Sequence, residues 1–95
     1  MSGKVNSYIG FAIKARKIIF GVENITTYRK KLHLILLDVS LSPNSAKKIL
    51  RYATERQLPI LNYDINSILG ERNCKALGII DQNLALAIFN ELKEN

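Results

Sequence analysis

The stretch HLILLDVSLSPNSAKKI, from His33 to Ile49, does most to set the architecture. Its first half lies in LHLILLDV, a near-continuous apolar run of the kind found in a strand buried on both faces, not one with a wet side. Within a few residues the chain then turns into a helix. Ser42 is placed to accept from first-turn amides, and Pro43 suits the first helical position, where a missing N–H costs nothing. A strand buried on both faces needs cover on both, so this run predicts helices laid on either side of a sheet.

The rest of the chain alternates accordingly. In KVNSYIGFAIKARK the apolar Val5, Tyr8, Ile9, Ala12 and Ile13 fall at helical spacing, with Lys4, Lys14 and Lys17 mostly outside the stripe, which predicts a helix over about residues 4 to 15. KIIFG reads as a short strand closed by Gly21. VENITTYRKK is ambiguous: its Thr and Ile content lowers helix propensity, while Gly21 ahead of Glu23 is compatible with a helix start. In the helix opened by Ser42 and Pro43, the expected buried stripe is Ala46, Ile49, Leu50 and Ala53, leaving Lys47, Lys48, Arg51 and Arg56 at its sides and back. PILNY then predicts a strand, DINSILG a short helix with Asp64 as cap and Gly70 as stop, and KALGIID a further strand. A last helix, capped by Asp81, buries Leu84, Ala85, Ile88, Phe89 and Leu92. The expected fold is α/β: a three-layer α/β/α sandwich around a mixed, roughly four-stranded sheet.

With 95 residues, 47% of them hydrophobic, the chain is sized for one core, and residues 1–95 are expected to form a single domain. The start, MSGKVNSYIGF, lacks the apolar segment and cleavage site of a leader, and no long apolar run follows, so a cytoplasmic protein without membrane contact is expected. Cys74 is the single cysteine and His33 the single histidine, too few for a zinc site or a disulfide framework; Cys74 is expected to be an ordinary buried or half-buried thiol. Charge is uneven. Residues 1–56 carry 11 Lys/Arg against 3 Asp/Glu, a net +8, whereas residues 57–95 carry 3 against 5, a net −2. Clustered cations gain counterion release on meeting phosphates, so a surface facing a polyanion is indicated.

Chemistry is harder to find. Asp38 ends the apolar strand as a phosphoacceptor would, but the further carboxylates that would hold a divalent cation beside it are missing, and a polar residue closing a buried strand is the better reading. The sequence has no phosphate-binding glycine loop, no G-x-S-x-G and no H-E-x-x-H, and His33 has no nucleophile to serve. The tyrosines Tyr8, Tyr28, Tyr52 and Tyr63 fit a core better than a base-stacking platform. No catalytic, metal or cofactor site is assigned.

Three segments in order, GFAIKARKIIFG, LHLILLDVSLSPNSAKK and ILGERNCKALGIIDQNLALAI, resemble the kink-turn RNA-binding ribosomal protein family of the L-seven-Ae type, and within it the bacterial YlxQ branch. The similarity runs over nearly the whole chain. It implies the same sandwich, with RNA contacts at the N-terminus of the helix beginning at Gly21 and in the loop from Gly70 to Ala76. Gly21-Val22-Glu23-Asn24 stands where many relatives carry Gly-x-Asn-Glu, whose side chains read sheared G·A pairs in a kinked duplex. Together with the charge asymmetry, the resemblance implies non-enzymatic binding of structured RNA, ribosomal or transcript-linked. The residues expected to take part are Lys14, Arg16, Lys17, Gly21, Glu23, Asn24, Arg29, Lys30, Arg72 and Lys75. The alternative is a protein-interaction module that associates with the ribosome or the transcription machinery without touching RNA.

Overall fold

A computed structural model describes residues 3–69 and 74–93, apart from the side chain of Ser67. Strands β1 (Ile18–Phe20), β2 (Leu34–Asp38), β3 (Ile60–Tyr63) and β4 (Ala76–Ile79) form one mixed sheet in the order β1-β4-β2-β3. β2 and β3 run parallel, while β4 lies antiparallel between β1 and β2, with Gly78 opposite both Ile19 and Ile35. β2 is buried along its whole length, as its apolar run requires, and its residues alternate between faces with the two-residue period of a strand.

Each face has its own helices. On one, α1 (Gly3–Lys14) and α5 (Gln82–Lys93) pack together and lay Val5, Ile9, Ala12, Ala85 and Ile88 on Leu34, Leu36, Leu77 and Ile79. On the other, α2 (Val22–Thr26) and α3 (Pro43–Arg56) lay Ile25, Ile49, Tyr52 and Ala53 on Ile35, Leu37 and Ala76. This is the three-layer α/β/α sandwich that the alternation predicts. Among the described residues no helix is long and apolar enough to cross a membrane.

The caps follow sequence in two places, and at a third helix start a distant carboxylate takes part. Ser42 Oγ accepts the Ser45 N–H at 3.4 Å with Pro43 in the first turn, and Asp81 Oδ2 accepts the Leu84 N–H at 2.9 Å. At the start of the short helix α4 (Asn66–Leu69), next to Asp64, its expected cap, a residue distant in sequence takes part: Asp38 Oδ1 accepts the N–H groups of Ile65 at 2.7 Å and Asn66 at 3.1 Å. Gly70, the expected stop of α4, lies outside the described residues.

α3 is also rotated from its expected stripe. Leu50 is 58% exposed while Tyr52 is buried, because the face that meets the sheet is centred on Ile49, Tyr52 and Ala53, and Leu50 lies about 100° around the helix from Ile49. Burial of Tyr52 is made tolerable by its hydroxyl, which donates to the Tyr28 carbonyl at 2.9 Å and ties α3 to the segment leaving α2.

Between β1 and α2, Gly21 holds φ 92° and ψ 153°, a conformation that residues with a Cβ rarely adopt. An added Cβ would meet nothing within 4 Å, so the cost of Gly21→Ala is purely conformational. It is expected to be about 1–2 kcal/mol. A urea titration should show it as a lower midpoint at unchanged slope.

Candidate nucleic-acid interface

The sheet has two ends of different character. At one, β1, β2 and β3 finish and β4 begins, so Gly21, Asp38, Tyr63 and Lys75 gather there. Backbone bonds lace this end together: Gly21 N donates to the Ala76 carbonyl at 2.9 Å and Asp38 N to the Lys75 carbonyl at 2.8 Å. Phe20, Gly21, Val22, Cys74 and Lys75 line a shared hollow, so two of the segments expected to meet RNA are neighbours. Arg72 lies outside the described residues. Cys74 is buried, its Sγ 3.1 Å from the Ala76 carbonyl, as an ordinary structural thiol would be.

α2 itself is only five residues long, and its side chains are turned on its own backbone. Asn24 Nδ2 donates to the Phe20 carbonyl at 2.8 Å, and the hydroxyls of Thr26 and Thr27 donate to the Val22 and Glu23 carbonyls at 2.9 and 2.8 Å. So short a helix aligns few peptide dipoles, and any grip on an anion here must come mainly from side chains such as Lys75. Glu23 is exposed, its carboxylate 4.0 Å from Lys48 Nζ.

Asp38 is a scaffold for this end. It is 3% exposed, with Oδ1 on Ile65 and Asn66 and Oδ2 accepting both the N–H and the hydroxyl of Ser40. Burial works against its charge, but the Ser40 hydroxyl and the N–H groups of Ser40, Asn66 and Ile65 outweigh it and hold the carboxyl below its ordinary range. An acceptor so fully engaged has no oxygen to offer a phosphodonor or a cation. Next to it, burial and the charge of Asp64 push the Tyr63 phenol up, keeping it a donor, and it donates to Asn6 Oδ1 at 2.6 Å.

The other end holds the remaining expected residues. Lys17 precedes β1, its carbonyl accepting from Ile80 N where β4 finishes; Lys14 closes α1, and Arg16 lies in the turn that follows it. The three residues of β1 separate Lys17 from Gly21 by roughly 13 Å of extended chain. Arg29 and Lys30 lie in the connection entering β2 at this same end. A single basic rim around Gly21 is therefore not what the fold builds. Lys14, Arg16, Lys17, Arg29 and Lys30 are carried away from Gly21, Glu23, Asn24 and Lys75 because β1 and β2 both run from one end to the other.

Between the ends lies a groove that only the tertiary fold creates. Lys47, Lys48, Arg51 and Arg56 of α3 line an open groove of about 430 Å³ against Thr26 of α2, with Tyr52 and Glu55 alongside. The Arg56 guanidinium sits 4.0 Å above the Tyr52 ring. These are the cations expected at the sides and back of their helix. Their spacing of three, four and five residues was the available signal, but that α2 forms the groove's second wall depends on the tertiary fold.

No protein-family model and no curated protein sequence matches the chain. Among solved structures it is similar to that of a protein of unknown function from Bacillus halodurans, at a TM-score of 0.87 and 18% identity, over 97% of this chain and 99% of the other. At that identity the likeness shows the fold.

Proposed function

We propose that this chain is a cytoplasmic, non-enzymatic binder of structured RNA, ribosomal or transcript-linked. One observation carries the reading. All 11 Lys and Arg residues in the first 56 positions are exposed. Of them, Lys48 alone has a carboxylate of the described residues within 4.0 Å, that of Glu23. Cations kept solvated and unpaired stabilise the fold little, but each releases counterions when it meets a phosphate. The hollow shared by Gly21 and Lys75 adds a place where a helix start and a loop cation could meet the same RNA, as the resemblance to kink-turn binders implies.

The test is a fluorescence-anisotropy titration of a kink-turn RNA and a straight duplex of equal length at several salt concentrations. Binding of both should weaken steeply with salt, and the kink-turn RNA should bind more tightly. Asn24→Ala is expected to remove about 1–3 kcal/mol of that preference if Asn24 reads a base edge. Equal affinity of the wild type for both RNAs would refute the kink-turn element, and no binding to either would refute RNA recognition itself.

A protein-docking reading is favoured by the exposed apolar side chains Phe11, Val39, Leu50 and Leu86. It predicts partners that survive ribonuclease treatment in a pull-down, whereas RNA binding predicts their loss.

A further inference from the structure

The groove between α2 and α3 has a chemistry of its own. Lys47, Lys48, Arg51 and Arg56 are all exposed along one helix, over a span of about 14 Å at 1.5 Å per residue. At its far end the groove continues, through the shared Arg56, into a hollow lined by Arg29, Lys30 and Lys31. At its near end it reaches Glu23, beside the start of α2. Seven cations thus follow one another across this face, against the two carboxylates Glu23 and Glu55.

The form of the site indicates what it would hold. A small anion is best gripped by buried donors in an enclosed pocket; here the groove is open and every Lys and Arg is solvated. Charges strung along a helix at steps of one to five residues match a ligand whose own charges repeat, as phosphates do along a nucleic-acid strand. Thr26 and Tyr52 are the uncharged polar side chains of the groove, and the Tyr52 hydroxyl is committed to Tyr28, so little is offered to a base edge. A-form RNA duplexes are recognised largely through backbone and shape, which suits such a surface.

We infer that the α2–α3 groove is a track for the phosphate backbone of an RNA duplex, with Lys47, Lys48 and Arg51 as its principal contacts and Arg56, fixed over Tyr52, leading to Arg29, Lys30 and Lys31. This rests on the RNA-binding reading above, and adds a second contact face separate from the Gly21–Lys75 hollow. The groove supplies sequence-independent affinity, and the hollow sets where along the RNA the protein stops.

The triple variant Lys47→Gln, Lys48→Gln, Arg51→Gln tests it, since all three side chains are exposed and Gln keeps helix propensity. A labelled 20-base-pair RNA duplex is titrated with wild type, the triple variant and Lys93→Gln, a change on α5 at the opposite face of the sheet. The triple variant is expected to lose at least tenfold in duplex affinity and about 2–3 in the slope of log K against log salt, at roughly 0.9 per phosphate contact. Lys93→Gln should stay within threefold of wild type on this RNA, since Lys93 is exposed and belongs to neither contact face. Wild-type affinity and slope in the triple variant would overturn the groove while leaving RNA binding intact; failure of wild type to bind both the duplex and a kink-turn RNA would remove both. Displacement of the duplex by polyglutamate at equal charge concentration would assign the face to an acidic protein and overturn the proposal. Should the triple variant melt early by circular dichroism, Lys47→Gln and Arg51→Gln singly, each expected to lower the slope by about one, decide the matter in the same way.

Discussion

Replacing Asp38 by alanine should destabilise the protein by about 3–5 kcal/mol, because it strips a largely buried acceptor from the several donors that converge on it. The N–H of Ile65 is buried, and those of Asn66 and Ser40, with the Ser40 hydroxyl, turn to the same carboxylate. For a domain of this size the loss corresponds to a fall in Tm of roughly 12 °C or more. Asp38→Asn keeps one acceptor oxygen and should cost less, on the order of 1–2 kcal/mol. The pH dependence has a definite sign. Because the folded protein holds this carboxyl below its ordinary value of 3.8, the contribution is fully present above that value and is lost as pH falls through the lower folded-state pKa. The stability gap between wild type and Asp38→Asn should therefore be flat between about pH 7 and pH 5 and shrink once the pH passes below 3.8. A gap that stays constant into strong acid would show that the charge on Asp38 contributes nothing.

Gly78→Val is expected to cost about 3 kcal/mol through overpacking. Gly78 sits on β4 in the middle of the sheet, beneath α2. A Cβ there would stand 3.2 and 3.3 Å from the two Leu32 methyls and 3.4 Å from Ile25 Cγ1. One methyl could be met by small shifts of Leu32, so Gly78→Ala should cost under about 1 kcal/mol, offset in part by reduced freedom of the unfolded chain. The two further methyls of valine would push Ile25, and with it α2, off the sheet. Equilibrium unfolding of both variants checks this: a valine variant no less stable than the alanine variant would mean that α2 is not held at that distance by packing.

What could be read in advance follows the range of the interactions involved. Ser42 with Pro43, and Asp81, cap helices through bonds spanning three residues, and the sequence displays both partners side by side. The start of α4 draws on a longer range. Asp38, 27 and 28 residues upstream of the N–H groups it accepts, reaches them because the parallel pairing of β2 with β3 ends both strands at the same level. Leu50 misled for a related reason: periodicity gives a helix an apolar side, while the sheet decides how α3 is turned. The interface divides along the same line. Gly21 and Lys75 come together because β1 pairs with β4, whereas Lys17 and Gly21, close in sequence, are held apart by the strand between them. Composition revealed how many cations there were; only the crossing of α3 over the sheet arranges Lys47, Lys48 and Arg51 along a groove.

The position of β4 bears on how the molecule is made. β1 has no neighbour in the sheet except β4, and β4 spans residues 76–79 of 95. While the chain is being synthesised, β2 and β3 can already pair, but β1 stays without a strand to join until residues 76–79 have emerged. Assembly must therefore be completed late and by contacts distant in sequence, which slows it relative to a protein built from adjacent hairpins. Nascent chains arrested before Cys74 should remain open to protease around Ile18 to Phe20, and become resistant once β4 clears the exit tunnel.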